Sequence, residues 1–178
     1  MNLSKYRHIV FSVAINSLFL IGLLSLLNGA SQVAHADPGA LFVTPGGGGD
    51  CSQASPCSLQ TALAQAADGD TLYIAGGIYT STSGAVITIT HNITLYGGWD
   101  GSPIGPIVCD PEIYPTTLDG EGAHRVAYIT GAIAPVLNGL TFANGNATGL
   151  GGYNTTDAGG GIYVYMATPL IANCTIIS

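Results

Sequence analysis

From Thr71 onward the chain is a succession of short apolar runs, each closed by Gly, Asn, Asp or Pro. This punctuation limits the fold more than any other feature. The runs occupy residues 71–74, 85–90, 93–96, 126–129, 140–142, 162–165 and 174–177, and all are rich in β-branched or aromatic residues. Several look like copies of one another. Asn138-Gly139-Leu140-Thr141-Phe142 can be set over Asn173-Cys174-Thr175-Ile176-Ile177, with Asn92-Ile93-Thr94-Leu95-Tyr96 above both. Asn138 and Asn173 are 35 residues apart and the runs that begin at 126 and 162, followed by Pro135 and Pro169, are 36 apart, a near-constant offset. Unequal loops on a repeating strand pattern are what a solenoid permits, because insertions project from one face. A β-sandwich would need Asn-Gly-type hairpins between amphipathic strands, and Asn144-Gly145 is the turn that reads this way.

Ahead of these runs, residues 41–44 are β-prone and end at Pro45 and the glycines Gly46 to Gly49. No Gly-Lys-Ser/Thr follows, so the glycines read as a flexible turn and not as a phosphate cradle. Leu59, Ala62, Leu63 and Ala66 share one helical face, which predicts a helix over residues 58–67 with Ser58 as N-cap and Gly69 closing it.

Residues 1–36 read as a signal peptide. Lys5, Arg7 and His8 form the basic start, residues 10–27 the apolar stretch, and Ala34-His35-Ala36 the small-residue cleavage site. An uncleaved membrane anchor is the alternative, since no Asp, Glu, Lys or Arg lies between Ile9 and Ala36. Either way the remainder is expected to be exported: secreted, or held at the cell surface or outer membrane. Residues 37–70 then form an N-terminal cap and residues 71–178 the repeating coils. Because Ser178 falls inside a strand-like run, the chain reads as the N-terminal part of a longer protein, with an open edge at residues 174–177 where copies would self-associate.

Export makes the four cysteines legible. Cys51 and Cys57 lie six apart in one loop and are expected to bridge. Cys109 and Cys174 pair by elimination, or Cys174 stays a buried thiol. Charge removes other roles. Residues 37–178 hold one cation, Arg125, against ten Asp and Glu, a formal charge of −9. Such a surface cannot neutralise a row of phosphates, which excludes nucleic acid, and an anionic leaflet repels it. Contact with a membrane is expected only through the N-terminal segment if it stays uncleaved.

The segment 50–63, then Gly69-Asp70-Thr71-Leu72-Tyr73-Ile74 and Gly77-Ile78-Tyr79, resembles the start of bacterial exported parallel β-helix proteins of the pectin-lyase-like class, including choice-of-anchor surface proteins. Ile93-Thr94-Leu95-Tyr96-Gly97-Gly98-Trp99, Thr117-Leu118-Asp119-Gly120 and Gly159-Gly160-Gly161-Ile162-Tyr163 continue the match. Phe142-Ala143-Asn144 is similar to repeats of polymorphic outer-membrane proteins. The resemblance covers about residues 41–178 and implies an all-β fold, a right-handed parallel β-helix with a short N-terminal capping α-helix. Its motifs are turn, stacking and capping residues, informative for fold and poor for function.

The expected function is accordingly a non-catalytic exported or surface β-helix for adhesion, envelope display or carbohydrate contact. The alternative is a polysaccharide lyase or glycoside hydrolase whose catalytic residues lie mostly outside this chain. Asp100, Asp110 and Glu112 share one Pro/Gly-rich excursion and are the acids considered for general acid–base work. The only cationic candidate is His124-Arg125, with Arg125 expected to pair with an acid such as Glu121. Asp119/Glu121 and Asp68/Asp70 read as turn formers. Trp99 and Tyr153, in loops, are the candidate ligand contacts. No catalytic residue, metal or cofactor is expected.

Overall fold

The computed structural model describes residues 39–152, 154 and 156–178, so the signal-peptide reading and Tyr153 lie outside the described residues. In chain order the elements are β1 (Ala40–Val43), β2 (Gly48–Ser52), β3 (Ser55–Cys57), α1 (Leu59–Gln65), β4 (Thr71–Ala75), β5 (Gly77–Tyr79) and β6 (Ile87–Ile89). They continue as β7 (Thr94–Trp99), β8 (Thr116–Asp119), β9 (Ala127–Thr130), β10 (Val136–Asn138), β11 (Leu140–Ala143), β12 (Ile162–Tyr165), β13 (Leu170–Ala172) and β14 (Thr175–Ile177). The protein is all-β with one short helix among the described residues.

From β4 the chain visits three sheets in rotation. The first sheet runs β13-β10-β7-β4-β1-β3-β2, the second β14-β11-β8-β5, the third β12-β9-β6. Every stacked pair is parallel; only β2 and β3 run antiparallel among the named strands. Strand alternation decides which side chains enter the core. Leu72, Leu95 and Leu137 lie in register and are wholly buried, whereas Tyr73 and Tyr96 alternate outward and stack 5.9 Å apart. Ile87 and Ile89, Leu118, Ile129 and Phe142 complete one interior, each large side chain contributing about 1.5–3 kcal/mol on burial.

The expected repeat exists, but its alignment is corrected by one residue. Val136 pairs with Leu170 and Thr141 with Thr175, a spacing of 34, and Ala127 with Ile162, a spacing of 35. Asn173 therefore stands where the earlier copy has Gly139. Both sit in the left-handed region, φ 52° and 69°, which Gly adopts freely and Asn better than most side chains. Asn138 and Asn173 are neighbours and not equivalents: the Asn173 amide donates to Asn138 Oδ1 at 3.1 Å. The run 93–96 belongs to the first sheet, not beside Leu140 in the second, since Leu95 pairs with Leu137 and Tyr96 with Asn138.

Two further expectations are corrected near the cap. The turn expected over Gly46 to Gly49 is confined to Pro45 and Gly46, where Gly47 N–H donates to Thr44 O (3.0 Å); Gly48 and Gly49 already belong to β2. The helix is shorter than 58–67. Ser58 Oγ accepts from the Thr61 N–H as foreseen, but Ala66 is already extended (φ −61°, ψ 136°). Asp70 ends it early: its carboxylate accepts from Ala67 N (2.8 Å) and Gly39 N (2.7 Å), drawing the chain toward β4. Leu59, Ala62 and Ala66 bury their face in the core as the helical spacing requires. At the other end, Tyr165, Leu170, Ile176 and Ile177 are exposed because no further strand among the described residues stacks on them.

Candidate functional site

The sequence between β7 and β8 leaves the stack as a long excursion, and its course builds a groove. Trp99 bridges back to Cys109, and Asp100 N–H donates to Val108 O (3.0 Å). Asp110 N–H donates to Gly98 O (2.7 Å), and its Oδ1 accepts from Glu112 N and Ile113 N (3.0 and 3.2 Å). That Asx turn is the local geometry Asp favours before a Pro-containing bend. The hairpin steadies the excursion from outside, with Gln53 Nε2 donating to Ser102 O and Gly105 O (3.1 and 3.2 Å).

Between this wall and the stacked strands lies an open groove of about 780 Å³. Asp110, Pro111 and Glu112 form one side. Tyr96, Asn138, Thr141, Asn173 and Thr175 line it from three successive levels of the stack. The groove therefore runs across the strands, along the stacking direction. Its chemistry is amide, hydroxyl, carboxylate and one aromatic ring. The Glu112 carboxylate has no hydrogen-bond partner among the described residues, and Asp110 spends Oδ1 within its own turn.

The sequence candidates fare differently. Asp110 and Glu112 come together in the groove; Asp100 does not, its carboxylate being occupied by Ser102 N and Oγ (3.0 and 2.8 Å). Trp99 is corrected as a ligand contact. It is wholly buried, its ring set edge-on to Phe42 at 5.0 Å, because the strand β7 continues through it into the first sheet. Asn138, Thr141, Asn173 and Thr175 were read only as turn and strand residues. Their signal was present: outward polar residues recurring at the repeat spacing mark a stripe of like chemistry on one face.

Arg125 is also corrected. It does not pair with Glu121, which is exposed in a left-handed turn. Arg125 is buried; its Nε donates to Gly159 O (3.0 Å) and its Nη2 to Gly151 O and Ala158 O (2.9 and 2.8 Å). The guanidinium lies over the Tyr163 ring at 4.6 Å and near Tyr128 at 5.8 Å. The cation is thus engaged in holding residues 151–159 and faces no groove. Asp119 Oδ1 accepts from Glu121 N and Asn144 Nδ2 (2.8 and 2.9 Å), and Asp68 from Asn92 N (2.8 Å), as turn formers do. Among the described residues, no cluster of three or more His, Cys, Asp or Glu could hold a metal.

Cys51 and Cys57 form a disulfide with Cα atoms 4.5 Å apart. Cys109 and Cys174 are free, which corrects the pairing by elimination. Cys174 Sγ points inward toward Leu137 O and Ala172 O (3.6 and 3.2 Å), while Cys109 sits out on the excursion. Partial burial raises both thiol pKa values, and Asp100 adds to the effect at Cys109. Such thiols are poor nucleophiles. A second hollow of about 550 Å³ lies between α1 and residues 80–88, lined by small hydroxyl and aliphatic side chains.

Comparison with protein-family models, curated proteins and solved structures finds no match to this chain. Among the described residues, no helix is long and apolar enough to cross a membrane.

Proposed function

We propose that this chain is an exported or cell-surface right-handed parallel β-helix that contacts carbohydrate without catalysing its cleavage. The rotation of strands through three parallel sheets supports the β-helix, and parallel crossovers are right-handed in nearly all known cases. The resemblance to pectin-lyase-like exported proteins favours the same reading. One observation carries the function: the groove along the stack, in which Tyr96 lies among amides, hydroxyls and carboxylates, is the mixture that receives a sugar ring and its hydroxyls. Asp110 and Glu112 bring carboxylates there, but no cation among the described residues joins them to stabilise a carbanion or neutralise a uronate.

The test is retention of the purified protein in gels containing soluble polysaccharides, with a reducing-end assay on the same samples. Retention without new chain ends is expected. Steady release of ends or of unsaturated product would overturn the non-catalytic reading. Export is checked separately by the N-terminal residue of the secreted protein, expected to be Asp37.

A further inference from the structure

The groove's two sides differ in a way that selects among glycans. On the stack side, Tyr96 has one ring face covered, since Tyr73 stacks on it with an interplanar angle of 12°. The aromatic ladder Phe42-Tyr73-Tyr96 then stops, because the next level places Asn138 opposite Tyr96. Tyr96 is half-buried between Tyr73 and Asn138, and the part of its side chain that they leave open faces the groove. Successive levels are about 4.8 Å apart, so Tyr96, Asn138 and Asn173 span about 10 Å, roughly a disaccharide in length. The opposite wall offers the carboxylates of Asp110 and Glu112 and no cation. The one fixed cation of the described residues, Arg125, is buried against the carbonyls of residues 151, 158 and 159.

We infer that this groove binds an uncharged glycan laid along the stacking axis, one sugar packing against the open side of Tyr96, and that it excludes polyuronates. The inference rests on the carbohydrate reading above and sharpens it. Apolar C–H groups of a hexose match the part of the tyrosine that is open to the groove. Carboxylates and amides at the rim accept from and donate to sugar hydroxyls, which costs a neutral ligand little. A uronate brings a negative charge against two others in a site with no counter-charge, and like charges at short range oppose binding. The polyuronates implied by the pectin-lyase-like resemblance are thus the wrong ligands for this surface.

The experiment is isothermal titration of the full chain with cello-, xylo- and manno-oligosaccharides and with oligogalacturonate, all in EDTA so that no divalent cation bridges carboxylates. At least one neutral series should bind and oligogalacturonate should not. Tyr96→Ala should weaken neutral binding about tenfold, with circular dichroism unchanged. The double change Asp110→Asn with Glu112→Gln should let oligogalacturonate bind within about tenfold of the neutral ligand. Wild-type binding of oligogalacturonate as tight as that of neutral oligomers would overturn this inference and leave the carbohydrate reading standing. So would a Tyr96→Ala protein that binds unchanged. Binding of no glycan at all would overturn both.

Discussion

Two long excursions leave the same stack, and they are held by opposite means. Residues 100–115 are secured by several small contributions: the two backbone bonds that make the Trp99–Cys109 bridge, the Asp110 turn and the reach of Gln53 from the hairpin. In the second, residues 145–160, beyond an anchor at Asn146 (Nδ2 to Gly122 O, 2.7 Å), the carbonyls of Gly151, Ala158 and Gly159 meet at one side chain. Arg125 donates to three carbonyls there, while Asp157 accepts from Gly149 N and Gly151 N (2.8 and 2.9 Å). The stack tolerates both because only the strands must repeat. The difference teaches that a distributed loop should yield by degrees, whereas a loop gathered on one cation should fail at one residue.

The sharpest way to break that contrast is Arg125→Met. It removes the fork and leaves three half-buried carbonyls without their donor, for an expected loss of about 3 kcal/mol in urea unfolding. Arg125→Lys keeps the charge without the planar fork and should recover only part of it. A loss no larger than that of an exposed substitution would show that residues 145–160 organise without the cation. The Cys51–Cys57 bridge comes next. Replacing both residues by Ala should cost about 2 kcal/mol by freeing the unfolded loop, and should loosen the excursion that Gln53 holds. Faster amide exchange at residues 102–105 is the expected signature.

Thr116→Val should cost about 1–2 kcal/mol. The Thr116 hydroxyl is buried, donates to the carbonyls of Ile74 and Ala75 (3.1 Å each) and accepts from Gly98 N (2.8 Å), at the root of the first excursion. A thermal midpoint equal to that of the wild type would contradict this. The smallest effect is expected from pH. The N–H groups of Gly149 and Gly151, and then the Arg125 charge, hold the Asp157 carboxyl below its ordinary value of 3.8. Its stabilisation is present above that ordinary value and disappears as the pH falls through the lower folded value. Asp157→Asn should therefore lose stability at about pH 6 and narrow the gap to wild type at about pH 2. An equal deficit at both would refute the linkage.

The succession of strands was legible because alternation and turn residues are local signals: Leu72 and Leu95 sit in apolar runs closed by Gly or Asn and face the core. The alignment itself was off by one because an Asn precedes a strand in both copies, whereas the left-handed turn position is Gly139 in one and Asn173 in the other. Short strands such as β10 and β13 escaped notice, being three residues each and placed beside a proline. The acids of the groove wall were visible as a cluster in the first excursion. What brings Tyr96 opposite Glu112 is the fold-back from Trp99 to Cys109, a long-range closure that no local pattern encodes. Arg125 misled for the opposite reason. A lone cation beside His124 looks reactive in sequence, and only the path of residues 151–159 shows that carbonyls claim it.

The chain contains one tryptophan, and its place has an optical consequence. Trp99 is sealed between Phe42 and the base of the first excursion, away from solvent. Its emission should lie toward the blue in the folded protein and move to the red when that junction opens. Every photon from its indole reports on the joint between stack and groove wall, so the molecule carries its own label at the site where ligand binding would be felt.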